Sequence, residues 1–199
     1  MKDMFYTIDK LRNRIHELDN FRYREVIELE YFNTKLNEDK DIAPAIPQDF
    51  DGTIKLGETW KGRDLYLWMQ KVVKVPASWQ GKSVVGIFDF GETGAGNNSG
   101  FESLFYLNNK PYQGVDSNHK EVFFPKNSAG SDLELLFRLW TGLEGGGIPR
   151  EQEHRINRAQ LAWLDEKVDV EYSTVFIDNL NEEIILNIIN NYHSSLIIK

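Results

Sequence analysis

Three kinds of side chain in this sequence could do chemistry, and each would need a particular neighbourhood. The carboxylates Glu92, Glu102 and Asp116 fall near turn-rich stretches. Two of them facing one another across a bond would be the acid and base of glycoside hydrolysis. With 31 acidic residues in the chain, such neighbours also arise by chance, and a surface or turn role is the plainer reading. The histidines are His16, His119, His154 and His193, and no two form a His-x-His or His-x-x-x-His pair. Zinc needs ligands that converge, often from close spacing, so the pattern gives no metal site within this chain. Gly91-Glu92-Thr93-Gly94-Ala95-Gly96 has the glycines of a phosphate loop, but Asn97-Asn98-Ser99-Gly100 and a strand pattern follow it. A phosphate loop opens a helix and carries a lysine, so a hairpin loop is the better description.

Asp116-Ser117-Asn118-His119 is more pointed. Asp and Asn at such spacing bond local backbone and shape a turn, from which His119 would point outward. The alternatives are turn structure alone, or contact with a neighbouring domain or a sugar. Trp60, Trp68, Trp79, Trp140 and Trp163 could stack on sugar rings, although most large aromatics belong to a core. The binding or interdomain candidates are therefore Asp116, Asn118, His119 and Trp140.

The elements that would position them are mostly strands. Leu65, Leu67, Met69, Val73 and Val75 alternate with Tyr66, Trp68, Gln70 and Lys74, so both faces of that strand should be covered, and Pro76 stops it. Residues 83–90, 101–107 and 121–124 are further strands, with Asn108-Asn109 as a tight hairpin turn after the second. Leu133, Leu135, Phe137 and Leu139 alternate with Asp132, Glu134 and Arg138. Leu136 and Trp140 break that polar face, and an exposed Trp140 there would suggest that something packs on it. Ala159, Leu161 and Trp163 alternate through a last strand, after a flexible loop over residues 142–150. Short apolar segments separated by turns predict an antiparallel β-sandwich over residues 21–166.

Helices are expected at both ends. Met4, Ile8, Leu11, Ile15 and Leu18 share a helix face over residues 1–20. From Tyr23 the period changes, and Tyr23, Ile27, Leu29 and Tyr31 read as one face of a single strand, with Arg24, Glu28 and Glu30 on the other. Residues 33–53, with Pro44 and Pro47, read as a loop that wraps a surface. Residues 167–199 are mostly helical. Within them, 168–176 fit helix or strand, and Asn181 caps a final helix with an apolar stripe of Ile184, Ile185, Ile188, Ile189, Tyr192 and Leu196. That stripe should fold back on the first helix or mediate self-association. It ends at Lys199 without a stop signal, which suggests that further protein follows.

Composition narrows the classes. At 199 residues and 41% hydrophobic, the chain can bury a large core without a metal or disulfide. It has no cysteine, which removes thiol chemistry and fits a reducing compartment. The start lacks an apolar core of signal-peptide length, and no stretch approaches about 18 apolar residues, so a cytoplasmic protein without a membrane partner is expected. The net charge is −8 with bases interspersed among acids, which argues against nucleic acid.

The order Trp60-x-Gly62-Arg63-Asp64, Val75-Pro76-x-x-Trp79-x-Gly81-Lys82, Phe88-Asp89-Phe90-Gly91, Asn108-Asn109 and Gln113-Gly114-Val115-Asp116-x-Asn118-His119-x-Glu121 resembles the amino-terminal accessory region of glycoside hydrolase family 38 α-mannosidases. Lys10-Leu11-Arg12-Asn13-Arg14-Ile15 and Arg22-Tyr23-Arg24 are similar to what precedes it in the bacterial enzymes, so the likeness runs over roughly residues 1–180. The resemblance implies a sandwich of jelly-roll, galactose-binding-domain-like form, in a parent that hydrolyses mannosides with retention. Its zinc ion and Asp nucleophile would lie in a separate catalytic barrel that follows this region and is absent here. It also implies that this region is inactive alone, binds no cofactor, and packs on that barrel or in a homo-oligomer. A free-standing carbohydrate-binding module is the alternative.

Overall fold

The computed structural model describes the backbone of residues 2–37, 44–91, 101–143 and 151–197, and the side chains of 7–37, 44–91, 101–143 and 151–187. In chain order the elements are α1 (Lys2–Arg22), β1 (Tyr23–Glu28), β2 (Tyr31–Asn37), β3 (Gly52–Lys55), β4 (Thr59–Gly62), β5 (Tyr66–Lys74), β6 (Ser83–Asp89), β7 (Glu102–Leu107), β8 (Lys110–Asp116), β9 (Glu121–Phe123), β10 (Asp132–Trp140), β11 (Gln152–Arg155), β12 (Arg158–Leu164) and α2 (Glu166–Ile197). They fall into two compact units, Val26–Trp163 and the combination of Met1–Glu25 with Leu164–Lys199.

Val26–Trp163 is built on β10. Alternation puts its Leu133, Leu135, Phe137 and Leu139 on one face, and all four are buried. β5 and β7 flank it antiparallel, with Phe137 opposite Met69 on one side and Phe105 on the other. The full six-stranded order is β3-β2-β5-β10-β7-β8, and a second sheet runs β1-β12-β6-β9. Val84, Phe88, Val122, Ala159 and Leu161 from the second sheet join Phe32, Met69, Phe105 and Phe137 from the first in one core. Two antiparallel sheets sharing a core make the chain mainly β, an antiparallel sandwich with a helix at each end, as the strand pattern predicts.

The outer side of β5 and β10 is covered as expected. Trp68, Tyr106 and Leu136 form a second buried cluster, with Ile46 and Phe50 packed against them. Segment 44–50 therefore does wrap a surface, with Ile46 and Phe50 packed against the cluster that holds Leu136. The Asn108-Asn109 turn forms as read, with φ of 50° and 61° linking β7 to β8.

Three readings need correction. The strand expected from Tyr23 to Tyr31 is two strands, because the chain leaves one sheet for the other between Glu28 and Tyr31. Glu25 also takes a positive φ of 52°, which breaks the alternation. Of the expected face Leu29 is buried, but Ile27 and Tyr31 are exposed, and Phe32 and Thr34 are buried in their place. Residues 33–53 are not all loop, since β2 runs to Asn37 and β3 begins at Gly52. Asn181 caps nothing: α2 is continuous from Glu166, and residues 168–176 are helical. The cap is Asp165, whose carboxylate accepts the Val168 N–H at 3.4 Å while its carbonyl accepts the Asp169 N–H at 2.9 Å.

In the unit formed by the chain ends, α1 and α2 run antiparallel. Arg22 binds Asp169 at 2.7 Å, and Arg12, ten residues earlier, binds Glu183 at 2.9 Å. Ile8 and Leu18 of α1 are buried, while Ile184 and Ile185 of α2 are exposed. The side chains of Ile188, Ile189, Tyr192 and Leu196 lie outside the described residues, as do residues 92–100 and most of the loop read over 142–150.

Candidate functional site

Five strands bring five polar or aromatic residues into one row. Asn37 lies opposite Tyr66, Tyr66 opposite Trp140, Trp140 opposite Glu102, and Glu102 opposite Asp116. Cross-strand partners project from the same face, and this row projects away from the core face that carries Leu139 and Phe137. At about 4.8 Å per strand the row is about 19 Å long.

Its middle is an aromatic platform. The rings of Tyr66 and Trp140 stack with centroids 6.4 Å apart and an interplanar angle of 24°. The Arg138 guanidinium sits 4.0 Å from the Tyr66 ring centre and donates through Nε to Asn37 Oδ1 at 3.0 Å. Trp140 donates its indole N–H to Asp64 Oδ1 at 3.1 Å. Asp64 has a φ of 54°, a conformation that short polar side chains tolerate best, and its N–H donates to Gly142 O at 2.8 Å. The platform is thus fixed from below by a turn rather than left to rotate.

The far end of the row is closed on itself. Asp116 Oδ1 accepts the backbone N–H groups of Asn118 and His119 at 2.7 and 2.8 Å, and His119 Nδ1 lies 3.0 Å from Oδ2. Burial alone would raise the Asp116 pKa, but the bonds from His119 and from the Asn118 and His119 N–H groups outweigh it and leave it below the ordinary value. Both Asp116 oxygens are thus engaged within its own turn, which is the plainer role of a turn former. Asp116, Asn118 and His119 therefore come together in one turn, with the His119 side chain 74% exposed. Trp140 stands two strands away on the same row. Asn37, Asp64, Tyr66 and Arg138 complete the face and were not foreseen. Trp140 on a polar face was the one signal that pointed to it.

A second polar region surrounds Gly91. Asp89 Oδ2 accepts from Lys120 Nζ at 2.8 Å, and Oδ1 accepts the Gly91 N–H at 3.0 Å. A hollow of about 440 Å³ beside it is lined by Thr59, Gly91, Glu153, Arg155 and Asn157. Burial would raise the Asp89 pKa, but Lys120 and the Gly91 N–H win and lower it. A depressed folded pKa contributes stability above the unfolded value and loses it as pH falls through the folded one. The stability gap between the native chain and Asp89→Asn should accordingly shrink between about pH 5 and about pH 2. Urea titrations across that range check this, and a gap that stays constant would refute it.

Among the described residues no three His, Asp or Glu side chains converge as metal ligands would. His154 is fully buried, stacked on Trp60 at 4.8 Å, with Nε2 donating to Thr141 O at 3.1 Å. His119 is held by Asp116, and His16 lies exposed on α1. Among the described residues, no helix is long and apolar enough to cross a membrane.

No family model matches the chain, and no curated protein matches it. Among solved structures, a β-glucuronidase from Ruminococcus gnavus in complex with D-glucaro-δ-lactam is 11% identical, with a TM-score of 0.46, over 71% of this chain and 29% of that one. A Faecalibacterium prausnitzii β-glucuronidase is 14% identical, with a TM-score of 0.49, over 71% and 31%. The chain thus spans about a third of the length of these enzymes or less. Likenesses this distant carry nothing about substrate.

Proposed function

We propose that this chain is the non-catalytic amino-terminal sandwich of a retaining, zinc-dependent α-mannosidase similar to those of glycoside hydrolase family 38. What supports the reading is where the residues behind the resemblance sit. Trp60 and Trp79 are core. Asp64 and Asn108-Asn109 hold positive-φ turns, and Asp116 to His119 close a turn on themselves. Gly91 lies against the Arg155 backbone. A resemblance carried by turn formers and core residues is one of scaffold, not of reacting groups.

In this reading the zinc, its ligands and the nucleophile belong to a catalytic barrel outside this chain. The sandwich and the two helices serve packing against that barrel or between copies. The substrates are terminal mannosides, and the cysteine-free composition suits the cytoplasm. No step of the hydrolysis is assigned to a residue here.

The test is an assay of two proteins with an aryl α-mannoside and added zinc: this chain, and the polypeptide encoded by the full reading frame. The longer protein should turn over and the isolated chain should not. Turnover by the isolated chain, or none by the longer one on any α-mannoside, would overturn the assignment.

A further inference from the structure

We propose that the row Asn37–Tyr66–Trp140–Glu102–Asp116 binds a neutral oligosaccharide along the outer face of the larger sheet, with Trp140 as the stacking residue. The inference goes beyond a scaffold role, and it stands whether or not a catalytic domain follows.

Four observations carry it. First, the platform is preorganised. Trp140 is tied to Asp64 at 3.1 Å and Tyr66 is backed by Arg138 at 4.0 Å, so little side-chain freedom is lost when a ligand stacks. Second, the ring pair is flanked by polar groups. Glu102 is exposed next to Trp140, and the half-buried Asn37, whose Oδ1 accepts from Arg138, keeps its amide N–H groups on the other side of Tyr66. Rings for an apolar face, with a carboxylate acceptor at one side and an amide donor at the other, suit a ligand that has C–H groups on one side and hydroxyls at its rim. That is the chemistry of a pyranose.

Third, charge selects among ring-shaped ligands. Glu102, Asp116 and Asp64 are acidic, and the nearby cation Arg138 is already committed to Tyr66 and Asn37. Phosphates, nucleic acid and uronic acids would be repelled. A small organic cation would want rings arranged as a cage, but here the two rings lie 24° from parallel, and the cation position over Tyr66 is taken. A neutral sugar is what remains. Fourth, the row of about 19 Å is longer than one sugar ring, so an oligosaccharide uses it better than a monosaccharide does.

Calorimetric titration tests this on the intact chain, using mannobiose and a longer neutral manno-oligosaccharide as probes and an oligogalacturonate as the anionic comparison. The longer neutral sugar should saturate at millimolar concentration or below, and the anionic one should not bind. Trp140→Ala should weaken binding by roughly tenfold or more, and Glu102→Gln by several-fold. Trp163→Phe should leave it unchanged. Thermal melts confirm that each variant is folded, and the exposed Glu102 keeps the test alive if Trp140→Ala is not. Three results would overturn the proposal: no saturable binding of any neutral sugar by the native chain, binding indifferent to Glu102→Gln and Trp140→Ala, or a preference for the anionic sugar. None of them touches the mannosidase reading, which is decided by turnover.

Discussion

Alanine in place of Phe137 should destabilise the Val26–Trp163 unit by about 3–5 kcal/mol. The ring is completely buried in the middle of β10 and touches aromatics from both sheets. Its centroid lies 4.7 Å from Phe88, 4.8 Å from Phe105, 5.0 Å from Phe90 and 6.0 Å from Phe32. Removing it leaves a cavity whose walls are other rings, each fixed by its own neighbours, so little collapse can repair the loss. A domain of this size holds roughly 5–15 kcal/mol in total, so the variant would sit near the edge of folding. Phe137→Leu should cost much less, about 1–2 kcal/mol, because most of the volume stays. Urea unfolding followed by tryptophan fluorescence reads both. An alanine variant within about 1 kcal/mol of the native chain would show that the sandwich core does not centre on this residue.

The elements that were legible in sequence are those whose pattern is local. β10 alternates cleanly because one face is core and the other is half covered, and the Asn108-Asn109 turn announces itself through two residues that tolerate positive φ. The four-residue strands β4 and β11 were missed, since each gains its partner from the other, some ninety residues away, with Trp60 opposite His154. The break after Glu28 was missed because one apolar alternation happened to run through two strands that belong to different sheets. The same limit applies to the candidate site. Trp140 could be picked out as an aromatic on a polar face. Its neighbours could not, because Tyr66, Glu102 and Asp116 reach it only through strand register, and register is not written in any one strand. Asp64 was visible as part of a motif, but its hold on the Trp140 N–H depends on a left-handed turn that only the folded chain displays.

The second large effect is expected at Gly91, where a single methyl group should cost about 3 kcal/mol or more. Two penalties act together. Gly91 has a φ of 105°, which an L-residue adopts only with strain. A Cβ there would also stand 2.6 Å from the Arg155 nitrogen and 2.8 Å from the Arg155 oxygen. Both are backbone atoms, so no rotamer change relieves the clash, and β11 or the end of β6 must move. Such a shift would pull on the Gly91 N–H that Asp89 Oδ1 accepts at 3.0 Å and on the neighbouring bond from Asn157 N to Asp89 O at 2.8 Å. Gly81 provides the control: its φ is 76°, but a Cβ there meets nothing within 4 Å. Gly81→Ala should therefore show the conformational part alone, about 1–2 kcal/mol. The difference between the two variants in denaturant titrations isolates the close approach of Gly91 to β11. Equal losses for the two would mean that the backbone contact is looser than its geometry implies, and that the hollow beside Gly91 has no rigid wall.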